Sequence, residues 1–346
     1  MKAYEIQDFA KSGRLRLVDR PDPVPKAGEA LVKMRATGLN ARDLTIMQGD
    51  QFGRIIPPTR IPLSDNAGDV VAVGEGVTGV KPGDRVTMTH YWRWLDGTWD
   101  ESMREEDYAM SLDGFLVEQA VVPAAALIKL PDSISYEAAS TLQSAGLTAW
   151  HAVVEAGHAK PGATVVTIGT GGVSVFAMQW AKLAGARAIV TSSSDAKLAR
   201  MKELGADDGI NYADTPEWSK AVMELTGGRG ADLVVNNVGL AELDQCLEAC
   251  ASGGVIAHVG ANPVSRDRKA AVPQPPKRLG NLIMRSLTIK GIIVGSRAMF
   301  VNLIDQMATH GVEPIIDRVY PFDQVNDAIA YMAGGDKLGK VVIRIQ

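Results

Sequence analysis

The 346-residue sequence predicts an α/β protein with a β-rich first part and a doubly wound parallel sheet in the second part. In the first part, short β-branched runs such as Ala30–Met34, Val70–Val73 and Arg85–Thr89 are separated by glycine and proline. Beyond Ala126, apolar strand-like runs alternate with helix-like stretches. Such alternation is typical of right-handed βαβ crossovers, which cover both faces of a parallel sheet with helices.

The predicted elements of the second part follow one another in pairs. They are Thr164–Ile168 with Val173–Ala184, Ala188–Thr191 with Ala196–Leu204, and Leu233–Val235 with Glu242–Ala251, followed by strands at Val255–Val259 and Leu287–Val294. The end of the chain adds predicted helices at Met299–Thr309 and Phe322–Ala333 and a strand at Lys340–Ile345. The polar, proline-rich segment Pro263–Pro276 predicts a surface loop.

Composition narrows the class of protein. The net charge of -4 gives no reason to expect nucleic acid or an anionic membrane as a partner. The two cysteines, Cys246 and Cys250, are too few for a disulfide framework or a four-cysteine metal lobe, and we expect them to serve packing. The first residues lack an apolar signal-peptide core, and no apolar run reaches the length of a spanning helix. We therefore expect a cytoplasmic protein.

A glycine-rich segment, Gly169-Thr170-Gly171-Gly172-Val173-Ser174, directly follows the predicted strand Thr164–Ile168 and precedes a predicted helix. Glycine adopts positive φ without steric cost and lets the backbone approach a pyrophosphate, which the helix N-terminus attracts. Ser174 stands where the third glycine of this motif normally lies, and its small side chain still permits close helix–strand packing. Because further βα units follow, the segment predicts a dinucleotide site that includes Gly169, Gly171, Gly172 and Val173.

The end of the second strand bears on which dinucleotide binds. An NAD site usually has an acidic residue there, which binds the ribose 2′-hydroxyl, but this chain has Ser192 and Ser193. A 2′-phosphate would be repelled by a carboxylate and favoured by hydroxyls and by a cation such as Lys197, with Arg200 as a second candidate. These residues favour NADP(H). Asp195 is the competing feature that would favour NAD, although we expect it to begin the next helix.

The order and spacing of several motifs resemble the medium-chain dehydrogenase/reductase superfamily, and within it a zinc-free branch of NADPH:quinone oxidoreductases. The resemblance covers nearly the whole chain. The motifs are Gly38-Leu39-Asn40-Ala41-Arg42-Asp43, Gly68–Gly83 with its ending Val80-Lys81-Pro82-Gly83-Asp84-Arg85-Val86, Gly114-Phe115-Leu116-Val117-Glu118, Leu147-Thr148-Ala149, Gly169–Ser174, Asn211-Tyr212 and Gly339-Lys340-Val341-Val342.

The resemblance implies a catalytic domain built on a GroES-like β-barrel and a Rossmann domain inserted into it. We place the first part of the catalytic domain at residues 1–126, the Rossmann domain at 127–296 and the C-terminal return at 297–346. The implied site residues fall into three groups. They are Ser193, Lys197 and Tyr212 at the 2′-phosphate, Asn40 and Thr148 beside the nicotinamide and its ribose, and Asn237, Val238, Val259 and Lys340 along the cofactor groove.

The resemblance also implies that a catalytic zinc is missing. Zinc-dependent members have a cysteine at the position of Asn40 and a His-Glu pair at Asp65-Asn66. A catalytic zinc needs three protein ligands, and Asp65 and His90 supply at most two of them. We therefore predict no metal. Without a Lewis acid, hydride transfer to a quinone or an α,β-unsaturated carbonyl is favoured, because hydrogen bonds can stabilise the charge that develops on oxygen.

An aromatic segment of the first part has two possible roles. The segment His90–Trp99 contains Trp92, Trp94 and Trp99, and it predicts either an aromatic wall over the acceptor or a packed loop or subunit contact. Tyr91 is a candidate proton donor.

The predicted last strand, Leu287–Val294, indicates a homodimer or a dimer of dimers, because this edge often pairs across a two-fold axis in the superfamily. An alcohol dehydrogenase or carbonyl reductase, and a crystallin-like protein that binds NADPH without turnover, are the alternative functions.

Overall fold

The computed structural model describes residues 1–51, 54–260 and 276–345 and divides the chain into two compact units. One unit comprises Met1–Leu147 with Val294–Gln346, and the other comprises Thr148–Ile293. The predicted layout of a domain inserted into another is therefore present. The first boundary lies after Leu147 and not after Ala126, because Leu127–Lys129 is still a strand of the first unit's sheet.

The strands are numbered in chain order. They are β1 (Lys2–Glu5), β2 (Arg16–Asp19), β3 (Glu29–Leu39), β4 (Asp50–Gln51), β5 (Arg54–Ile55), β6 (Ala67–Val73), β7 (Arg85–Met88), β8 (Gln119–Pro123), β9 (Leu127–Lys129), β10 (Thr164–Ile168), β11 (Arg187–Ser192), β12 (Asp208–Asn211), β13 (Ala231–Asn236), β14 (Cys250–His258), β15 (Thr288–Gly291), β16 (Ile316–Pro321) and β17 (Lys340–Arg344).

The α-helices are numbered in the same way. They are α1 (Phe9–Ser12), α2 (Ala41–Met47), α3 (Tyr136–Ala139), α4 (Leu147–Trp150), α5 (Gly172–Leu183), α6 (Asp195–Glu203), α7 (Trp218–Leu225), α8 (Leu243–Ala249), α9 (Leu279–Met284), α10 (Arg297–His310) and α11 (Val325–Gly334). In the part of the chain that the structure describes, no helix is long and apolar enough to cross a membrane.

The first unit is built on a mainly antiparallel sheet in the order β16-β17-β3-β6-β7-β9, with β8 also paired to β3. The central strand β3 alternates between buried and partly exposed side chains along its first half. This period of two is expected of a strand with one face on the core. Strand β17 comes from the end of the chain and pairs antiparallel with β3, with Val341 opposite Leu39. Strands from the first 130 residues and from the last 31 residues of the chain therefore build one sheet, while β1 and β2 form a separate two-stranded sheet.

The second unit is a parallel sheet in the order β12-β11-β10-β13-β14-β15, with every neighbouring pair parallel. In chain order this is the 3-2-1-4-5-6 arrangement of a doubly wound nucleotide-binding fold. The central strand β10 is buried along its whole length. A strand covered on both faces needs a continuous apolar run, which the sequence Thr164–Ile168 supplies.

The predicted strands and helices of this second unit are confirmed, with most ends within three residues, although β14 begins at Cys250 and not at Val255. Cys246 and Cys250 are free and fully buried, which agrees with a packing role. The predicted surface loop at Pro263–Pro276 lies, except for its last residue, outside the described residues. The alternation of β-branched strands with helices thus predicted five of the six strands of the sheet, and the edge strand β12 was not predicted.

Candidate functional site

The glycine-rich turn of the second unit has the backbone geometry that an anion site needs. Gly169 has a φ of 81°, in the left-handed region that favours glycine, and Gly171 is the N-cap of α5. A Cβ atom built on either glycine would meet no heavy atom within 4 Å. The space before the turn is therefore open, and the first N–H groups of α5 face it as free donors for a pyrophosphate.

Ser174 locks this turn to the sheet. Its hydroxyl donates to the carbonyl oxygen of Ile168 at 2.8 Å and accepts from the Nδ2 atom of Asn237 at 2.7 Å. The Oδ1 atom of Asn237 is buried and has no hydrogen-bond partner among the described residues. A buried acceptor without a partner is costly, so this oxygen is suited to a donor group on a bound ligand.

The end of β11 carries the hydroxyls that the sequence predicted. Ser192 is buried and Ser193 is exposed. Ser194 is the N-cap of α6, and its hydroxyl accepts from the N–H of Lys197. Asp195 is the first residue of α6, as expected, and its carboxylate accepts from the Nδ2 atom of Asn211 at 2.8 Å. The carboxylate that would favour NAD is thus engaged with the neighbouring strand.

Tyr212 and Lys197 lie on the two segments that flank these serines. The N–H of Tyr212 donates to the carbonyl oxygen of Ser192 at 2.9 Å, so the ends of β11 and β12 are joined. The Tyr212 side chain is 38% exposed and that of Lys197 is partly buried. The structure therefore brings Ser192, Ser193 and Tyr212 together on one sheet edge, with Lys197 one helical turn away.

The far side of the groove is formed by the ends of β13 and β14. The N–H of Val259 donates to the carbonyl oxygen of Asn236 at 2.9 Å, and Val238 is 40% exposed. A Cβ atom on Gly260 would lie only 2.4 Å from the carbonyl carbon of Val238, so the two backbones can approach only because this residue is glycine. The described residues of this unit fit a dinucleotide, with hydroxyls at one end and the helix N-terminus in the middle.

In the first unit, Asn40 lies at the centre of a buried polar group. The Nζ atom of Lys340 donates to the Oδ1 atom of Asn40 at 2.6 Å, to the Oδ2 atom of Asp65 at 2.9 Å and to the carbonyl oxygen of Leu39 at 2.9 Å. Lys340 and Asp65 have side chains that are 2% and 0% exposed. We call these three side chains, Asn40, Asp65 and Lys340, the lysine cluster.

The contacts of the Lys340 ammonium group limit what this residue could offer to a cofactor. An ammonium group has three hydrogens, and all three are taken by protein oxygen atoms within the first unit. None is left to hydrogen-bond a cofactor. The cause is the pairing of β17 with β3, which places the first residue of β17 beside the last residues of β3.

Three residues that the sequence reasoning missed as site residues hold the lysine cluster in place. The hydroxyl of Thr37 donates to the carbonyl oxygen of Asp65 at 2.6 Å, and the N–H of Ser144 donates to its Oδ1 atom at 3.1 Å. A Cβ atom on Gly38 would lie 2.9 Å from the Oδ2 atom of Asp65, so only glycine leaves room for the carboxylate. The sequence motif includes Gly38, but the sequence alone does not show that the Asp65 carboxylate requires a glycine at this position.

Asn66, the second residue at the position of the His-Glu pair of zinc-dependent members, has a structural role. Its Nδ2 atom donates to the carbonyl oxygen of Met88 at 3.2 Å, and its Oδ1 atom accepts from the Met88 N–H at 3.0 Å. Gln143 donates to the carbonyl oxygen of Asn66 and to the hydroxyl of Thr87. The Asn66 side chain therefore mimics a strand neighbour and ties the segment before β6 to β7.

A second buried network contains Tyr91. Arg42 donates to the Oδ1 atom of Asp107 at 2.7 Å and contacts the Nε2 atom of His90, while the Tyr91 hydroxyl donates to the Oδ2 atom of Asp107 at 2.9 Å. Burial, and secondarily the Asp107 carboxylate, raise the pKa of the Tyr91 hydroxyl above its ordinary value. Both the committed hydrogen and the raised pKa oppose the predicted role of Tyr91 as a proton donor.

The tryptophan segment forms a packed loop within the first unit. Trp94 is 2% exposed and contacts Trp99 edge-to-face with ring centroids 5.2 Å apart, and Tyr91 contacts Trp99 in the same way. The carbonyl oxygens of Trp94 and Leu95 accept from the first N–H groups of α10. Of the two interpretations of this segment, these contacts of Trp94 and Trp99 favour the packed loop.

Thr148, the remaining predicted site residue, is buried at the start of the second unit.

His90 offers a test of this network by pH. Burial, and then the positive charge of Arg42, lower the pKa of His90 from 6.5 to about 4. The unfolded chain therefore takes up a proton first as the pH falls through that range, and the wild type loses stability. The His90→Asn variant has no such loss. Its unfolding free energy relative to that of the wild type should therefore rise by up to about 1.4 kcal/mol for each unit by which the pH falls.

Urea unfolding between about pH 4.5 and 6.5 measures this difference, with the exposed His310→Asn as the matched control. A His90→Asn variant whose stability runs parallel to the wild type across the range would contradict a buried neutral imidazole. Raised by burial to about 7, the pKa of Asp43 gives the opposite dependence in the wild type and in both variants, so it cancels in the comparison.

The lysine cluster does not fit a zinc ion. In residues 1–51, 54–260 and 276–345, no group of three or more histidine, cysteine or acidic side chains could hold a metal. At the two positions compared with zinc ligands, Asn40 and Asp65 accept from an ammonium group at 2.6 and 2.9 Å. A metal beside this ammonium would face an unscreened positive charge in a buried setting. The fixed cation that this chain places between the two residues is Lys340.

Comparison with known proteins agrees with the fold. Residues 26–132 match the family described as the alcohol dehydrogenase GroES-like domain, and residues 172–309 match the family described as zinc-binding dehydrogenase. A zinc-type alcohol dehydrogenase-like protein of Schizosaccharomyces pombe is 37% identical over 324 residues, covering 92% of this chain and 91% of that protein. An alcohol dehydrogenase of Geobacillus stearothermophilus is 31% identical and covers all of both chains.

Among solved structures, a putative alcohol dehydrogenase from Sinorhizobium meliloti 1021 superposes with a TM-score of 0.90 at 38% identity, covering 99% of this chain and 98% of the other. The fold, the glycine turn and these similarities define a nicotinamide-dependent oxidoreductase. The chain belongs to the medium-chain dehydrogenase/reductase superfamily. The predicted GroES-like and Rossmann domains are thereby confirmed.

Proposed function

We propose that this protein is a metal-independent reductase that uses NADPH to reduce a quinone or an α,β-unsaturated carbonyl compound. The observation that carries the proposal is the lysine cluster. Zinc-dependent members of the superfamily resemble this chain in fold, but here a buried ammonium lies between Asn40 and Asp65. Without a metal to polarise a simple ketone, a more electrophilic acceptor is favoured, because its own conjugation spreads the developing negative charge.

The choice of NADPH is supported by the sheet edge of the second unit. Ser192, Ser193 and Tyr212 offer neutral hydrogen-bonding groups, and Lys197 adds a cation on the first turn of α6. Asp195, which would repel a 2′-phosphate, is held by Asn211. The bound cofactor would supply the hydride. The glycine turn and the N–H groups at the start of α5 would hold its pyrophosphate.

The residues of the first unit would bind and orient the acceptor. Asn40 is only 8% exposed, and its amide presents N–H groups that can donate to a carbonyl oxygen. A fixed donor is most useful where charge develops during the reaction, because it need not reorganise. The proton that completes the reduction need not come from Tyr91, whose hydroxyl is committed to Asp107. Water is the remaining proton source.

An acceptor panel with both cofactors tests this function. Oxidation of NADPH and NADH would be followed by absorbance with 1,4-benzoquinone, 2-cyclohexenone, an enal and cyclohexanone, on protein whose zinc content has been measured. We expect turnover of the conjugated acceptors with NADPH, and neither cyclohexanone reduction nor bound zinc. Absence of turnover with every acceptor would instead support a protein that binds NADPH without catalysis.

The similarity to alcohol dehydrogenases favours a second candidate, an alcohol dehydrogenase or carbonyl reductase. The same measurements separate the two functions. One tightly held zinc per chain, together with NAD-dependent oxidation of a simple alcohol, would overturn the reductase proposal. A metal-free protein that reduces only conjugated acceptors would overturn the alternative.

We also propose that two copies of the chain associate through the edge of the parallel sheet, as a dimer or a dimer of dimers. Strand β15 is the outermost strand of this sheet in the part that the structure describes, and all four of its residues are exposed. Ile283 and Met284 nearby are 80% and 83% exposed. An unpaired edge with apolar neighbours is suited to pairing with its own copy. Sedimentation velocity of the full chain tests this, and a monomer at micromolar concentration would contradict it.

A further inference from the structure

We propose that Lys340 is a positioning residue, which holds the Asn40 amide in the one orientation that lets it donate a hydrogen bond to the acceptor's carbonyl oxygen. The inference rests on the proposed reductase function and deepens it. It assigns a role to the Asn40 N–H donor and to the buried Lys340 ammonium, both of which lie in the first unit. The lysine belongs to the Gly339-Lys340-Val341-Val342 motif near the end of the sequence, 300 residues from Asn40.

The Lys340 ammonium group determines which end of the Asn40 amide faces it. An ammonium group has donors and no acceptor, so only the amide oxygen can lie 2.6 Å from the Lys340 Nζ atom. The reverse orientation would bring two donors together. In most proteins an asparagine orientation must be inferred from ambiguous neighbours. Here the chemistry of the neighbour determines it.

The amide nitrogen of Asn40 has little engagement with the protein. With the oxygen turned toward Lys340, the Nδ2 atom of Asn40 points the other way, and its only hydrogen bond among the described residues is a long one of 3.5 Å to the carbonyl oxygen of Gly38. One N–H therefore remains for a ligand. Asn40 also retains some exposure, whereas Lys340 and Asp65 are sealed in. Of the lysine cluster, Asn40 is thus the member that a small molecule can reach.

Both the side chain and the backbone of Asn40 are held in place by hydrogen bonds. Asp65 fixes Lys340 through its Oδ2 atom, and its Oδ1 atom is held by the N–H of Ser144. The backbone of Asn40 is fixed separately, since its N–H donates to the Oδ2 atom of Asp43 at 2.7 Å. The amide can therefore neither flip nor swing away. Preorganised donors of this kind stabilise an oxyanion without reorganisation, which is the advantage they have over water.

The decisive variant is Asn40→Asp. It keeps an oxygen for Lys340 but replaces the outward N–H with a carboxylate oxygen that repels a developing oxyanion. Because Asp65 already balances the Lys340 ammonium, the variant carries one extra buried carboxylate, so its thermal unfolding and its binding of NADPH are measured to show that it folds. We expect kcat for 2-cyclohexenone to fall at least about 100-fold, the range seen on loss of an oxyanion donor. The dissociation constant for NADPH, measured by fluorescence, should change less than about threefold. The matched control is Asn302→Asp, on an exposed position of α10.

A second set of variants tests whether Lys340 acts through Asn40. The double variant Lys340→Met/Asp65→Asn removes both buried charges together, so that neither is left uncompensated. We expect it to lose at least about tenfold in kcat because the amide is free to flip. Adding Asn40→Ala to the double variant should give no further loss beyond Asn40→Ala alone, since a positioning residue has no effect once its target is absent.

The outcomes separate this inference from the function on which it rests. If the wild type reduces no conjugated acceptor, the reductase function fails and this inference fails with it. If the wild type is active and Asn40→Asp retains its kcat, the function stands and the inference is wrong. Additive losses in the Asn40→Ala and Lys340→Met/Asp65→Asn backgrounds would likewise overturn the positioning role, since Lys340 would then affect activity by another route.

Discussion

Replacing Asp65 by asparagine is expected to lower the free energy of unfolding by about 3–5 kcal/mol. The Asp65 carboxylate is the anion that balances the Lys340 ammonium, and both side chains are sealed from solvent. An asparagine would leave a buried positive charge with only neutral acceptors. Breaking one side of such a pair costs far more than the pair itself contributes, because the remaining charge has lost both water and its counter-ion.

Chemical denaturation measures this change, and Asp132→Asn supplies a matched control with the same substitution. Asp132 is fully exposed and lies 3.9 Å from Arg85, so its ion pair is loose and screened by solvent. We expect a change below about 1 kcal/mol there. A change as small in Asp65→Asn as in the control would show that Lys340 and Asp65 do not form a buried ion pair, and a zinc ion at Asn40 and Asp65 would then no longer be disfavoured by a fixed ammonium group.

The second large effect is expected at the cofactor site. Replacing Lys197 by alanine should lower kcat/KM for NADPH by about 10- to 100-fold, because a charge-assisted hydrogen bond to a 2′-phosphate contributes about 1.5–3 kcal/mol. The value for NADH should change less than about threefold, since NADH has no 2′-phosphate. Steady-state kinetics with a saturating conjugated acceptor would give both numbers on the same protein sample.

Lys202→Ala is the control for this prediction, since Lys202 lies on the same helix α6 in its exposed last turn. It should leave the ratio of the two cofactors unchanged. Equal losses for NADPH and NADH in Lys197→Ala would show that Lys197 supports the fold or the pyrophosphate, and not the 2′-phosphate. A variant with unchanged NADPH kinetics would remove Lys197 from the site and return NAD to consideration.

Much of the second unit could be predicted from the sequence because its signals are local. The β-branched runs, the glycines of the turn and the serines at the strand end all lie within a few residues of the structure that they specify. The turn after β10 requires a left-handed backbone at Gly169, which glycine adopts without strain, and Ser194 caps helix α6. Such requirements depend on the sterics and hydrogen bonding of neighbouring residues, so they can be recognised without the fold.

The role of Lys340 could not be predicted in this way. Its partners Asn40 and Asp65 lie 300 and 275 residues away, and only the register of β17 against β3 brings them together. The same is true of Tyr91, whose hydroxyl is directed to Asp107 by the packing of the intervening loop. By itself, the sequence determined that a nicotinamide dinucleotide fold was present and that the familiar zinc ligands were absent. Only the tertiary structure decided that a lysine lies between those positions, because strand pairing over long distances sets which charges share a low-dielectric interior.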